Sequence, residues 1–141
     1  MAAGKHSSSE VTISVDDAQG GTLRVITSYV TTLSGIKITG NMQASTAFGD
    51  TITKMLPTGL GTIGDITLHG FFDDTATLGP HTIFNAPDTS VQGGTRTVTI
   101  VIGNSKTFTG EGYLADYEAQ AKAGGLTEYN AVLKMISGAW S

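Results

Sequence analysis

The run from Lys106 to Trp140, KTFTGEGYLADYEAQAKAGGLTEYNAVLKMISGAW, leaves the chain few choices of fold. Its second half alternates: Tyr129, Ala131, Leu133 and Met135 fall on one side, and Glu128, Asn130, Val132 and Lys134 on the other. A period of two means a strand with one buried face. The first half opens the same way at Thr107-Phe108-Thr109, then turns glycine-rich and polar. The pair Gly124-Gly125 separates the halves, so the run reads as one long β-hairpin. Residues 115–123, ADYEAQAKA, have the propensity of a helix. As one arm of a hairpin they are read as strand, because tertiary pairing overrides propensity.

The remaining chain supplies partners for that hairpin. Val11, Ile13 and Val15 alternate with Thr12 and Ser14, Asp16 to Gly21 forms a turn, and Leu23, Val25 and Thr27 begin a return strand. Tyr29 to Leu33 either continues this strand or bends away. Ile36 and Ile38 flank Lys37 in a short strand that ends at Gly40-Asn41. Phe48, Ile52 and Met55 lie at helical spacing, with Ser45 or Thr46 as a cap and Pro57 beyond, which predicts a short helix within 44–56. Pro57 to Gly64 reads as a glycine-rich loop. Residues 65–72, DITLHGFF, alternate again, Asp73-Asp74-Thr75 ends that strand, and a helical turn is expected near 76–84. Asn85 to Gly94 is loop, Val98, Ile100 and Ile102 mark another strand, and Gly103-Asn104-Ser105 turns the chain into the final hairpin. About seven strands with one or two short helices, arranged as meanders, exclude a parallel βαβ sheet. The expected class is mainly β: two packed antiparallel sheets, as a sandwich or partly closed barrel, with one or two short helices.

A chain of 141 residues is expected to form a single domain, 1–141, with 1–9 an extended N-terminal arm of small and polar residues. Charged residues make up 14% and the net charge is −4, so the chain is not of the disordered class. Its eight Lys and Arg residues are scattered, which argues against nucleic-acid binding by phosphate neutralisation. There is no cysteine. MAAGKHSSSEV does not read as a secretory leader, and no stretch approaches the ~18 apolar residues of a membrane helix.

Chemical motifs are present only as letters. Gly59 to Gly64 spells G-x-G-x-x-G, but a helix and a proline are expected before it and a strand after it, the reverse of a dinucleotide site. Asp16-Asp17 and Asp73-Asp74 sit at strand ends, where adjacent side chains diverge and serve turns rather than acid–base pairs. His69 and His81 have no evident metal partners. No cofactor and no enzymatic activity are expected. Tyr113, Tyr117, Tyr129 and Trp140 offer either an aromatic platform or packing. Trp140, next to the last residue, is read as a contact with another subunit, since aromatic anchors are enriched at interfaces.

In order and spacing, FTGEGYLADYEAQAKAGGLTEYNAVLKMISGAW and AFGDTITKMLPTGLGTIGDITLHGFFDDTA resemble the major tail tube protein of long-tailed, non-contractile bacteriophages. The shared pattern is a strand with F-x-G, a polar arm with tyrosine, a return strand to an S-G-x-W-like end, an L-P-T-G loop and a G-F-F-D-D corner. The resemblance implies a structural virion protein that stacks hexameric rings into a hollow tail tube, the conduit for genome ejection. Its implied partners are itself, tail-tip and tail-terminator proteins, and the tape-measure protein and then DNA passing through the lumen without specific binding; no membrane is involved. It implies location in the virion tail, assembled in the host cytoplasm, without the immunoglobulin-like decoration domain of larger members. Asp116, Glu118 and Glu128 become candidate lumen-facing acids. His6, Ser8, Phe48, Leu56, Leu60 and Trp140 become candidate inter-subunit contacts, with 1–9 and 41–64 as bridges between rings. The same composition also suits a carbohydrate- or host-binding β-sandwich of fibre or lectin type.

Overall fold

The computed structural model describes residues 10–49, 51–52, 54–103 and 106–141. Nine strands and one short helix follow in order among them: β1 (Thr12–Asp16), β2 (Leu23–Val25), β3 (Thr32–Ser34), β4 (Ile38–Ala44), β5 (Met55–Ile63), β6 (Ile66–Phe71), α1 (Pro80–Phe84), β7 (Arg96–Ile102), β8 (Lys106–Gln120) and β9 (Glu128–Trp140). Seven strands form one sheet in the order β2-β1-β7-β8-β9-β6-β3, and β4 and β5 pair separately. All pairings are antiparallel.

The connectivity forces the large sheet to curl. Its two outermost strands, β2 and β3, are joined by residues 26–31 only, and these include a 3₁₀ turn at Thr27–Tyr29. Edges of a flat seven-stranded sheet stand ~29 Å apart at the usual strand spacing. A fully extended link of this length reaches only about 24 Å. The sheet therefore bends into the expected partly closed barrel and buries its concave face. Ile13, Val15, Ile66, Leu68, Val98, Ile100, Leu114 and Leu133 point into it, each burial stabilising by about 1.5–3 kcal/mol. α1 adds Ile83 and Phe84 to the same core.

The final hairpin is the spine of this barrel. Phe108 pairs with Trp140 at one end and Gln120 with Glu128 at the other, so the helix-prone 115–123 stretch is strand as far as Gln120. Strand wins there because β9 offers a complete ladder and Tyr117 fills the core beside Tyr129, ring centroids 6.1 Å apart. The ladder breaks twice, between Glu111 and Gly112 and between Leu114 and Asp116. The second break inserts Ala115 as an extra residue, and a β-bulge of this kind reverses which residues face inward.

Two expectations are overturned in the middle of the chain. Among the described residues, 44–56 hold no helix, and Pro57 to Ile63 is strand and not loop. Instead β4 and β5 make a hairpin, paired from Ile38 with Ile63 to Ala44 with Met55. The helical spacing of Phe48, Ile52 and Met55 misled because no core lies against them: all three are exposed. Gly49 at φ 92° and the β-branched threonines further oppose a helix. Gly40-Asn41 does not end its strand. It marks a register shift between Gly40 and Met42, opposite Pro57, where a residue without an N–H is tolerated.

Candidate assembly surfaces

The convex face of the large sheet is polar. On β9 the inward residues Tyr129, Ala131 and Leu133 alternate with Glu128, Asn130 and Val132, which face out. Across the ladder Asp116 lies opposite Val132, Glu118 opposite Asn130 and Gln120 opposite Glu128. The structure thus brings Asp116, Glu118 and Glu128 together on one exposed face. The Ala115 bulge is what aims them there; in a ladder that paired Ala115, Asp116 would follow Gly110, Gly112 and Leu114 inward. That phase change carries no strong sequence signal, since Ala115 follows Leu114 in what still reads as ordinary strand.

His69, on β6, stands in the same patch. Its Nδ1 lies 2.6 Å from Asn130 Oδ1 and its Nε2 3.2 Å from Glu128 Oε1. The hydrogen bond to Asn130, reinforced by the Glu128 carboxylate, raises its pKa above the ordinary 6.5. Lys134 pairs with Asp65 at 2.8 Å, and this contact raises its pKa. The face therefore gathers three carboxylates, Asp116, Glu118 and Glu128, beside the single Lys134–Asp65 pair.

The β4–β5 hairpin is a different surface. All of β4 and all but the last residue of β5 are exposed. Ile38, Met42, Phe48, Ile52, Met55, Leu56 and Leu60 all show most or half of their surface to solvent, and Phe48 is as exposed as in an open chain. Three predicted contact residues, Phe48, Leu56 and Leu60, thus sit on one projecting arm. The G-x-G-x-x-G letters run from Gly59 in β5 to Gly64 just past its end, followed by β6 and not by a helix, so the geometry offers no phosphate cradle. Trp140 lies elsewhere, at the end of β9, edge-on against Phe108 with centroids 5.6 Å apart and its other side half exposed. His6 and Ser8 lie outside the described residues.

A third surface is the seam where the barrel fails to close. Between the start of β1 and β3 lies an apolar groove of about 580 Å³, lined by Val11, Ile13, Val30, Leu33, Ile36 and Ile102 together with threonine and serine hydroxyls. No charged side chain lines it.

Sequence reading missed the polar lock at the opposite end of β1. Arg96 and Asp88 are each 4% exposed and form a forked ion pair at 3.0–3.1 Å. Arg96 Nη1 also donates to the Ile83 carbonyl at 2.9 Å, and Asp88 accepts the Leu114 N–H at 2.8 Å. Nearby, Asp16 accepts the Thr97 N–H at 2.9 Å. Asp17 accepts the Thr22 N–H at 3.0 Å, which lowers its pKa, and Asp73 accepts the Thr75 N–H at 2.8 Å. These carboxylates hold turns and loops, as their places at strand ends predict. Among the described residues no three His, Asp or Glu side chains are grouped to hold a metal.

No family model and no curated protein matches the sequence. Solved structures do match over the whole chain. A chain of the anti-feeding prophage baseplate, solved with six-fold symmetry, superposes with TM-score 0.71 at 15% identity, covering 100% of this chain and 97% of that one. A chain from the tail of an empty gene transfer agent particle, solved with C6 symmetry, gives 0.69 at 16% identity, covering 97% and 98%. A chain from the sheath/tube terminator of an extracellular contractile injection system gives 0.72 at 12% identity, covering 100% and 99%. This is the tail-tube fold. The tail-tube fold is shared here by contractile injection systems, so it does not single out the non-contractile phage tails expected from the sequence motifs.

Proposed function

We propose that this chain is a tail structural protein that assembles with copies of itself into stacked hexameric rings, a hollow tube through which a genome is ejected. The observation that carries this reading is the β4–β5 arm: a long hairpin, exposed on nearly every residue and bearing Ile38, Met42, Met55, Leu56 and Leu60 on its strands, in a chain with a tail-tube fold. A monomer gains nothing from such an arm. Exposed apolar strands of this length are an association hazard unless another copy covers them. The short outer strands β2 and β3, three residues each, leave further backbone for neighbours to pair. In this reading Phe48, Leu56, Leu60 and Trp140 contact neighbouring subunits, and His6 and Ser8 belong to an arm that bridges rings. Asp116, Glu118 and Glu128 face the lumen, where negative charge repels phosphates and lets DNA slide. Tail-tip, terminator and tape-measure proteins are the expected partners, and the virion tail, assembled in the host cytoplasm, is the expected location. The motif pattern FTGEGY…SGAW with the L-P-T-G loop, read as a resemblance, favours the non-contractile class of tail.

Negative-stain microscopy of the purified protein, with its mass in solution, tests the proposal. Six-fold rings or hollow tubes are expected. A chain that stays monomeric, and does not polymerise when tail-tip complexes are added, overturns it.

A further inference from the structure

The barrel is closed by one of its least buried segments. The link from β2 passes through the 3₁₀ turn into β3, and none of the residues from Ser28 to Ser34 is buried. The residues it leans on are the opposite: Leu68 of β6 and Tyr129 of β9 are fully buried. Two cavities flank the segment. One is the seam groove of about 580 Å³, where Val30 and Leu33 face Val11, Ile13 and Ile102. The other, about 290 Å³, opens between Ser28, Tyr29 and Thr31 and the end of β6 at Phe71 and Asp73. Side chains beside a cavity lack partner atoms there, so the segment gains little dispersion attraction. Apart from the bonds of its own 3₁₀ turn, few tethers hold it. The Tyr129 hydroxyl donates to the Tyr29 carbonyl at 2.9 Å, across 100 positions of sequence. The His69 carbonyl accepts from the Thr31 N–H at 2.8 Å and from Thr31 Oγ1 at 3.1 Å. β3 adds three residues paired with Thr67, Leu68 and His69. On both sides of the segment the chain is fixed. Ile26 is fully buried and Thr27 Oγ1 accepts the Ile13 N–H at 3.0 Å, while the Lys37 carbonyl accepts the Gly64 N–H at 2.7 Å.

We propose that Ser28 to Ser34 is a strap that opens as one unit while the rest of the barrel stays folded, with the Tyr129 hydroxyl as its latch. Opening gives up the burial of Tyr29, Val30 and Leu33, which are only partly buried against the core. In return the freed residues regain backbone entropy. Regions with few buried contacts open locally in this way, well below the cost of global unfolding. Tyr129 suits a latch because its ring stays in the core against Phe84 and Tyr117, whether or not its hydroxyl holds the strap. Closed, the strap is the outer edge of the sheet. Open, the edge passes to β6, whose stretch from Thr67 to His69 then offers free main-chain groups. The strap thus decides which edge the barrel presents. It belongs to the single chain, whether or not copies assemble as proposed above.

Hydrogen exchange of the purified full chain, dilute enough to stay unassembled and read by mass spectrometry, tests the strap. Peptides spanning 27–36 are compared with peptides spanning 96–102 of β7, without urea and at several sub-denaturing concentrations. The strap amides should be protected relative to an unstructured peptide, should exchange ahead of β7, and should hardly respond to urea, because a small opening exposes little surface. The β7 amides should exchange only through global unfolding, with its full urea dependence. Tyr129→Phe keeps the ring and removes the latch, so exchange of the strap amides should rise about two- to twelvefold, the worth of one hydrogen bond. Strap amides that track β7 at every urea concentration overturn the strap. So do strap amides that exchange at the rate of an unstructured chain, since no closed state is then left to open. A Tyr129→Phe chain whose strap amides exchange as in the parent overturns the latch. The unaltered chain decides the strap by itself, so that part of the test needs no variant to fold.

Discussion

At the scale of single residues, the buried Arg96–Asp88 pair is the chain's most exacting contact. It ties the 85–95 loop to β7, β8 and α1 through Ile83 and Leu114. Two charges this buried are tolerated only because each is forked to the other and the remaining donors and acceptors are satisfied. Asp88→Asn or Arg96→Met leaves a partner uncompensated and should cost about 3–5 kcal/mol, read as a lower midpoint of denaturant unfolding. Gly70 is equally constrained for a steric reason: a Cβ there would lie 2.2 Å from the Tyr29 carbonyl oxygen, the group to which Tyr129 donates at 2.9 Å. His69 adds a pH dependence. Its folded pKa is raised above 6.5, so the stabilisation it brings is complete below the unfolded value and fades as pH rises through the folded one. An NMR titration should place its midpoint above 6.5, and His69→Gln should flatten the fall in stability as pH rises above 6.5. A midpoint at or below 6.5 would contradict the hydrogen bonds to Asn130 and Glu128.

At the scale of elements, what was legible in the sequence is what the core itself wrote. β6, β7 and β9 alternate because one face of each is buried, and alternation is visible in the letters; β1 alternates in its letters although Ser14 and Asp16 are buried as well as Ile13 and Val15. The arm at 38–63 was misread because it has no buried face in the monomer. Its large apolar residues up to Leu60 are half exposed or more, so their spacing follows no core and reports neither helix nor strand. The acidic face was half legible: the three carboxylates could be named, yet Ala115 and its bulge, which turn two of them outward, could not. That bulge is testable. Deleting Ala115 removes only the extra residue: Leu114 stays opposite Leu133, Asp116 opposite Val132, and the faces are kept. The variant should keep a cooperative thermal transition by circular dichroism. Deleting Tyr113 instead leaves Ala115 to take the inward place opposite Leu133 and turns Leu114 to solvent, which should cost about 2–5 kcal/mol. Loss of the transition on deleting Ala115, or equal tolerance of both deletions, would mean that Ala115 is not the residue that sets the inward and outward faces.

At the scale of the whole molecule, self-assembly as proposed would multiply the charge of the convex face. If it lines a lumen, each added copy brings Asp116, Glu118 and Glu128 to the same channel, and the channel's field grows with assembly while a free subunit remains only weakly acidic. Replacing all three by lysine changes no core contact, since Asp116 and Glu118 are exposed and Glu128 half-buried at the sheet surface. Tubes of the variant should still form and should now hold DNA. Many phosphate contacts would be made at once, so binding should weaken by about 10³–10⁵-fold between 50 and 200 mM salt. Co-sedimentation with labelled DNA measures this, and the shape of the DNA locates the charges. A linear fragment can enter a tube by its end, whereas a closed circle can reach only the outer wall. Lysine tubes that retain linear DNA and leave closed circles in the supernatant place the three residues inside. Tubes that bind both forms equally place them outside, and the polar face would then be the surface that the assembled tail shows to solvent or to a sheath.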